Sequence, residues 1–307
     1  MQSRFKETIL TPILVLVIFV IVTAVEFIPA DAVGINDNPY FSVVIIQLLT
    51  YAVPALFYVR LRGKELSGKL RLRLVKPSHI LFLTQAAVFM ICGTVLISML
   101  MYRIAPSAFE SSALTGYAAF AMNRRFFDGV YLVVAFGILP AMTEEFVFRG
   151  IVLGEYQKDG IVIASVISSA MFAMSHFSLV RFPAYFFSGI VLAIVAVVTR
   201  SLVASILVHA VNNAFVLLCE QYIINEVDKQ NVSLTLLVII VGAATLLSCM
   251  LMCFEANSIC RKYSDNNVEP DYVPVKKDLI GRTTKTFFSP TFLLLVIVYI
   301  VMCLVKE

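Results

Sequence analysis

Charge is what this sequence has least of. Only 14% of its residues are charged and 60% are hydrophobic, with a mean hydropathy of +0.91. Soluble domains carry about 25% charged and about 45–50% apolar residues. A water-facing shell cannot be built from so few polar groups, which excludes a soluble globular protein. Tryptophan is absent, so any aromatic belt at a membrane interface must be made of Tyr and Phe. The cysteines contain no C-x-x-C. Cys92, Cys219, Cys249, Cys253 and Cys303 lie inside apolar runs, and Cys260 lies in a polar segment. That pattern reads as buried thiols and speaks against a disulfide framework or a zinc ribbon. The net charge of +4 sits in short segments between apolar runs, with no basic arm or patch outside them, so no nucleic-acid partner is expected. No internal repeat, low-complexity tract or separate soluble domain is evident.

What the chain does have is apolar runs. A helix crossing the hydrocarbon core needs about 20 apolar residues. On that rule spans fall near 8–30, 41–60, 79–103, 127–149, 160–178, 182–199, 201–219, 232–254 and 289–305. The expected fold is all-α, a polytopic transmembrane bundle of about eight or nine helices. Arg4 and Lys6 before the first run, and Ala30-Asp31-Ala32 after it, resemble a signal peptide. The run is nevertheless long enough to cross a bilayer, and an uncleaved first helix is the preferred reading. If the N-terminus is cytoplasmic, 18 of the 24 Lys and Arg residues fall on the cytoplasmic side. That bias supports a multi-pass protein of the plasma membrane with a cytoplasmic N-terminus. Three regions follow: N-terminal helices and loops over 1–126, a core over 127–219, and C-terminal helices over 220–307 with an irregular cytoplasmic linker at 255–288. The outer loop at 104–126 is a candidate lid.

Ionisable groups inside spans are costly, and each is a functional hypothesis. Thr143-Glu144-Glu145-Phe146-Val147-Phe148-Arg149-Gly150 places two adjacent carboxylates in an apolar run. On a helix Glu145 and Arg149 share a face and can pair. Glu144 points about 100° away and is left free for proton transfer. The plainer alternative is two polar groups that pin helix packing. Phe172-Ala173-Met174-Ser175-His176 ends another run. Phe172 lies one turn before His176 and can pack on its ring, whereas a lone histidine there also fits a purely interfacial role. His209-Ala210-Val211-Asn212-Asn213 sits mid-span. His209 and Asn213, four apart, can face one cavity or simply hydrogen-bond between helices. His79, beside Pro77 and Ser78 at the start of a span, reads as interfacial. Glu26 lies near the outer end of its run, where it can reach water.

Taken together, the first three segments resemble the CAAX-protease/bacteriocin-processing (CPBP, Abi) family of intramembrane endopeptidases. Its motifs, E-E-x-x-x-R, F-x-x-x-H and H-x-x-x-N/D, read here as Glu144-Glu145…Arg149, Phe172…His176 and His209…Asn213. The resemblance implies a membrane-embedded peptidase, with Glu144, His176, His209 and Asn213 as essential groups. Glu145, Arg149 and Phe172 would support them. The implied partners are the bilayer and a peptide or protein substrate presented at it, either a prenylated CAAX protein or a leader or bacteriocin peptide. In the corresponding mechanism Glu144 is the general base, His176 holds the water, and His209 and Asn213 donate to the oxyanion. Either no cofactor is required or a divalent metal, zinc being possible, is held by Glu144, His176 and His209. The helical H-E-x-x-H signature is absent, which favours the glutamate-type over the metallo-endopeptidase. Straight helices ending at the expected boundaries would leave Glu144 and His176 at different depths. Convergence requires either that the fourth span continue past Arg149, towards Glu155, or that the fifth be shifted or broken, and the former is expected. The competing readings are a catalytically silent immunity or scaffold protein and a proton- or cation-coupled transporter.

Overall fold

The computed structural model describes residues 2–27, 44–106, 126–220, 233–269, 281, 284 and 286–306. Most of the outer loop at 104–126 and most of the segment before the last helix lie outside these residues, as does the Glu26 side chain. The described residues contain no strand and form nine apolar helices. They are α1 (Gln2–Glu26), α2 (Val44–Arg62), α3 (Pro77–Ile104), α4 (Gly129–Asp159), α5 (Ile161–Met174), α6 (Phe182–Thr199), α7 (Leu202–Cys219), α8 (Leu234–Asp265) and α9 (Pro290–Lys306). Six of them, α2, α3, α4, α6, α7 and α8, are long and apolar enough to cross a membrane. The chain is therefore an all-α integral membrane protein.

Two apolar clusters hold the bundle together. One joins α1, α2 and α9 to α4 and α5 through Phe19, Tyr58, Phe148, Ile151, Phe172 and Leu295. The other joins α3 and α8 to α6 and α7 through Phe82, Met90, Leu192, Val195, Val208 and Met252. The hairpin α4–α5 and the hairpin α6–α7 thus form the centre, and the remaining helices flank them. The outward face of α8 carries exposed Ile239, Leu246, Met250 and Phe254, the surface a lipid-facing helix needs. The same outward facing corrects the expectation of buried cysteines. Cys303 is buried, but Cys253 and Cys260 are exposed and Cys92, Cys219 and Cys249 are intermediate, all as free thiols.

Two helices are longer than their apolar runs. α8 continues through 255–265, which had been expected to be irregular linker. Glu255–Asp265 contains neither Gly nor Pro, so the helix continues beyond its apolar stretch. α4 runs ten residues past Arg149 to Asp159. Pro140 lies inside it, and a proline there removes a backbone donor. The preceding stretch Val133–Ile138 is wound as π-helix, and the Leu139 N–H reaches back five residues to Val134 O. A second π-helical stretch, Phe146–Val152, follows the glutamate pair directly. π-Helical segments frequently accompany functional sites.

Candidate active site

The α4–α5 turn sets the depth of two of the groups. Gly160, at φ +120°, closes the turn after a 3-10 turn at Gln157–Asp159, a backbone conformation that a side chain would strain. Glu144 lies 16 residues before Gly160 and His176 lies 16 after it. Counted along two antiparallel arms at about 1.5 Å per residue, they reach the same level. The expected extension of α4 is present, and it removes the conflict of depth.

The α6–α7 turn sets the third group. Arg200 adopts a left-handed conformation, and Ser201 caps α7 by accepting the Ala204 N–H at 3.3 Å. The Ser201 hydroxyl donates to Arg73 O, and the Leu202 N–H donates to Arg71 O at 2.9 Å. With the start of α7 fixed by the 68–76 strap, His209 arrives two turns later beside the glutamates. Its Nδ1 is 2.9 Å from Glu145 Oε1, and its Nε2 is 3.9 Å from Glu144 Oε2.

Glu145 is the structural member of the pair. It is fully buried, and the same Oε1 accepts from Arg149 Nη1 at 2.7 Å, which is the expected i, i+4 pairing. Arg149 is also fully buried. Its Nη2 donates to Gly189 O at 3.0 Å, and its guanidinium lies 4.5 Å from the centre of the Phe172 ring. Glu144 has no such salt bridge to Arg149. It is buried near Tyr51, with Gln47 of α2 in hydrogen-bonding reach. Gln47 also donates to the Thr143 hydroxyl at 3.0 Å.

Phe172 is the hub. Its ring makes edge contacts with His176 at 4.9 Å and His209 at 5.5 Å between centroids. The packing of Phe172 on His176 is as the spacing implied, and the contact with His209 adds the third segment. His176 Nδ1 lies 2.9 Å from Phe172 O. An imidazole that donates Nδ1–H to this carbonyl leaves Nε2 as an acceptor. Tyr185 of α6 stacks on the other face of the His176 ring at 3.8 Å. The loop carrying His176 is tied to α9, where the Tyr299 hydroxyl donates to Ser178 O at 3.0 Å.

The structure thus gathers Glu144, Glu145, Arg149, Phe172, His176 and His209. Asn213 stands apart from them. It lies one turn beyond His209, and its amide donates to Gly137 O at 3.4 Å. Its neighbour Asn212 is the buried one and accepts from Thr94 at 3.4 Å. His79 is not at the site. It is buried against Tyr263 rather than simply interfacial. Among the described residues, no three His, Cys, Asp or Glu side chains are disposed to share a metal ion. Glu144, His176 and His209 as placed do not form a ligand set, and no step is derived through a metal.

Residues 126–215 match the family model described as Rce1-like, type II CAAX prenyl endopeptidase. Over this stretch the chain is similar to that family. The stretch contains every residue of the cluster above except Gln47 and Tyr51, which α2 contributes, and Tyr299. A curated relative, the membrane-embedded CAAX protease MroQ of Staphylococcus aureus (strain USA300), is 31% identical over 88 residues. The aligned stretch covers 26% of this chain and 36% of that protein, so the chain spans about a third of the length of the relative it matches. No solved structure matches the chain. Outside the matched stretch, α1, α2 and α9 pack on the α4–α5 hairpin and α8 packs beside α6–α7.

Proposed function

We propose that the chain is an intramembrane endopeptidase that hydrolyses a peptide bond at the membrane, in a CAAX-type or leader-type substrate, with Glu144 as general base. One observation carries the reading. Within the matched stretch, Glu145 is spoken for by Arg149 and His209, while Glu144 carries no arginine and meets only His209 Nε2, at 3.9 Å. One carboxylate builds the site and its neighbour is available to take a proton.

The chemistry follows from the donors and acceptors. Glu144 and the free Nε2 of His176 both accept hydrogen bonds, and a water seated between them has both its protons held and a lone pair left for the scissile carbonyl. Attack moves one water proton to Glu144 and creates a tetrahedral oxyanion. Glu144 then passes that proton to the leaving amine. His209 serves the oxyanion when both its nitrogens carry protons, with Nδ1–H on Glu145 and Nε2–H directed to the site. Plasma-membrane location and a cytoplasmic N-terminus are part of the same proposal, on the Lys and Arg bias.

The test is cleavage of a membrane-tethered peptide library, with prenylated CAAX and leader-type members, by the full chain in nanodiscs. It runs with and without a chelator, beside Glu144→Gln. Cleavage lost in Glu144→Gln and kept with chelator is the expected result. Cleavage lost with chelator would replace the glutamate mechanism with a metal-dependent one. No cleavage of any member by folded wild type would defeat the peptidase reading in favour of a scaffold.

A further inference from the structure

Away from the Rce1-like site, at the end of the bundle where α3 starts and α8 finishes, the structure holds a cavity of about 200 Å³. Its polar lining is Lys76, Ser78, His79, Lys262, Tyr263 and Asn266, with no acidic side chain among the described residues that line it. The positive charge is concentrated further by Arg200. Its guanidinium sits 4.3 Å from the centre of the Tyr263 ring, and Lys76 Nζ approaches the same ring at 5.3 Å.

His79 borders the same cavity as a buried wall residue. It is only 4% exposed, and its Nε2 lies 3.5 Å from the Tyr263 hydroxyl. If Tyr263 donates to Nε2, the proton of the ring is on Nδ1, and Nδ1 is buried without a partner. A buried donor left unpaired is costly. The same residue is the N-cap of the α-helix Ile80–Ile104, and it makes no side-chain capping bond there. The first turn of α3, Pro77–His79, borders the cavity through Ser78 and His79. Immediately after it, Ile80 and Leu81 are 59% and 54% exposed, an apolar surface beside the polar opening.

We propose that this cavity is a binding site for a phosphate-bearing anion, the headgroup of an anionic lipid whose acyl chains lie along the exposed start of α3. Lys76 and Lys262 supply the charge, and Ser78 and Asn266 supply directed hydrogen bonds. The apolar surface at Ile80 and Leu81 favours a lipid over a free phosphate, because only a lipid uses both halves of the feature. The inference is independent of the peptidase reading.

Native mass spectrometry of the full chain in mild detergent, mixed with phosphatidylglycerol or phosphatidylcholine, tests it. Wild type is expected to retain one phosphatidylglycerol in preference to phosphatidylcholine. Lys76→Gln with Lys262→Gln should reduce that preference at least about tenfold, while Lys76→Arg with Lys262→Arg keeps it. Arg60→Gln with Lys64→Gln removes the same charge from exposed positions elsewhere and should leave it intact. In parallel, melting is followed with millimolar inorganic phosphate. A rise in wild type that is absent in the Lys76/Lys262 glutamine pair supports the same pocket with free phosphate as ligand. No preference in wild type together with no response to phosphate overturns the proposal. An equal loss in the glutamine pair and the Arg60/Lys64 control also overturns it, because the effect would then be one of total charge.

Discussion

At the scale of the residue, the two adjacent glutamates differ in every contact that matters. Glu145 is bonded to Arg149 and His209, whereas Glu144 has its carboxylate 3.9 Å from the nearest imidazole nitrogen. Their substitution should therefore separate chemistry from stability. Glu144→Gln keeps shape and removes the base, so turnover of a cleaved peptide should fall by at least about 10²-fold with an unchanged melting temperature. A variant that melts normally and still cleaves at the wild-type rate would remove Glu144 from the mechanism. Arg149→Ala leaves a buried carboxylate uncompensated, a loss of about 3–5 kcal/mol. It should appear as a lowered melting temperature and poor expression, even in a chain already carrying Glu144→Gln. The division between the glutamates was legible from spacing alone, because i, i+4 geometry is local. Tyr185 stacking on His176, Gln47 beside Glu144 and the Gly189 carbonyl on Arg149 were not legible. Each comes from a different helix, and only packing decides which face of that helix meets the site.

At the scale of the element, the site depends on how closely α5 and α6 approach. A Cβ added at Gly189 would sit 2.7 Å from Ser169 Cβ and 2.9 Å from its Cα. Small residues at such a crossing allow backbones to touch, and here the touch also places the Gly189 carbonyl on Arg149. Gly189→Ala should push the helices apart, lower the melting temperature, and reduce cleavage through Arg149 and Glu145 without touching Glu144. Ser169→Gly in the same chain removes one of the two clashing atoms and should restore part of both. Wild-type melting and activity in Gly189→Ala alone would show that the crossing has slack. Neither glycine nor serine announces this contact in the sequence, since 13 glycines are present and most meet no such neighbour. The extension of α4 was legible only as a requirement. The run of Ile151–Tyr156 is compatible with either a helix or a loop, and convergence of the motifs decided between them.

At the scale of the whole molecule, one end of the bundle is tied together by charge. Glu155, fully buried, accepts from Arg62 at 2.6 Å, from Lys69 at 3.4 Å and from Tyr58 at 3.3 Å. The Tyr58 hydroxyl lies 3.0 Å from Thr11, so α1, α2, the strap and α4 meet at one carboxylate. Arg71 on Gln157 and Arg200 on Glu269 O extend the same pattern across to α6–α7 and the end of α8. These basic side chains therefore hold the fold at the end where the Lys and Arg bias places the cytoplasm. Orientation is then testable through the exposed Cys260, near the end of α8 on this side. In a chain whose other cysteines are replaced by Ala or Ser, Cys260 should resist a membrane-impermeant maleimide in intact cells and react once the membrane is opened. Reaction in intact cells would place this basic end outside. Glu144 stands at the midpoint of α4, 15 residues from either end, so the orientation that such a result would reverse is that of the flanking charge and not the depth of the site.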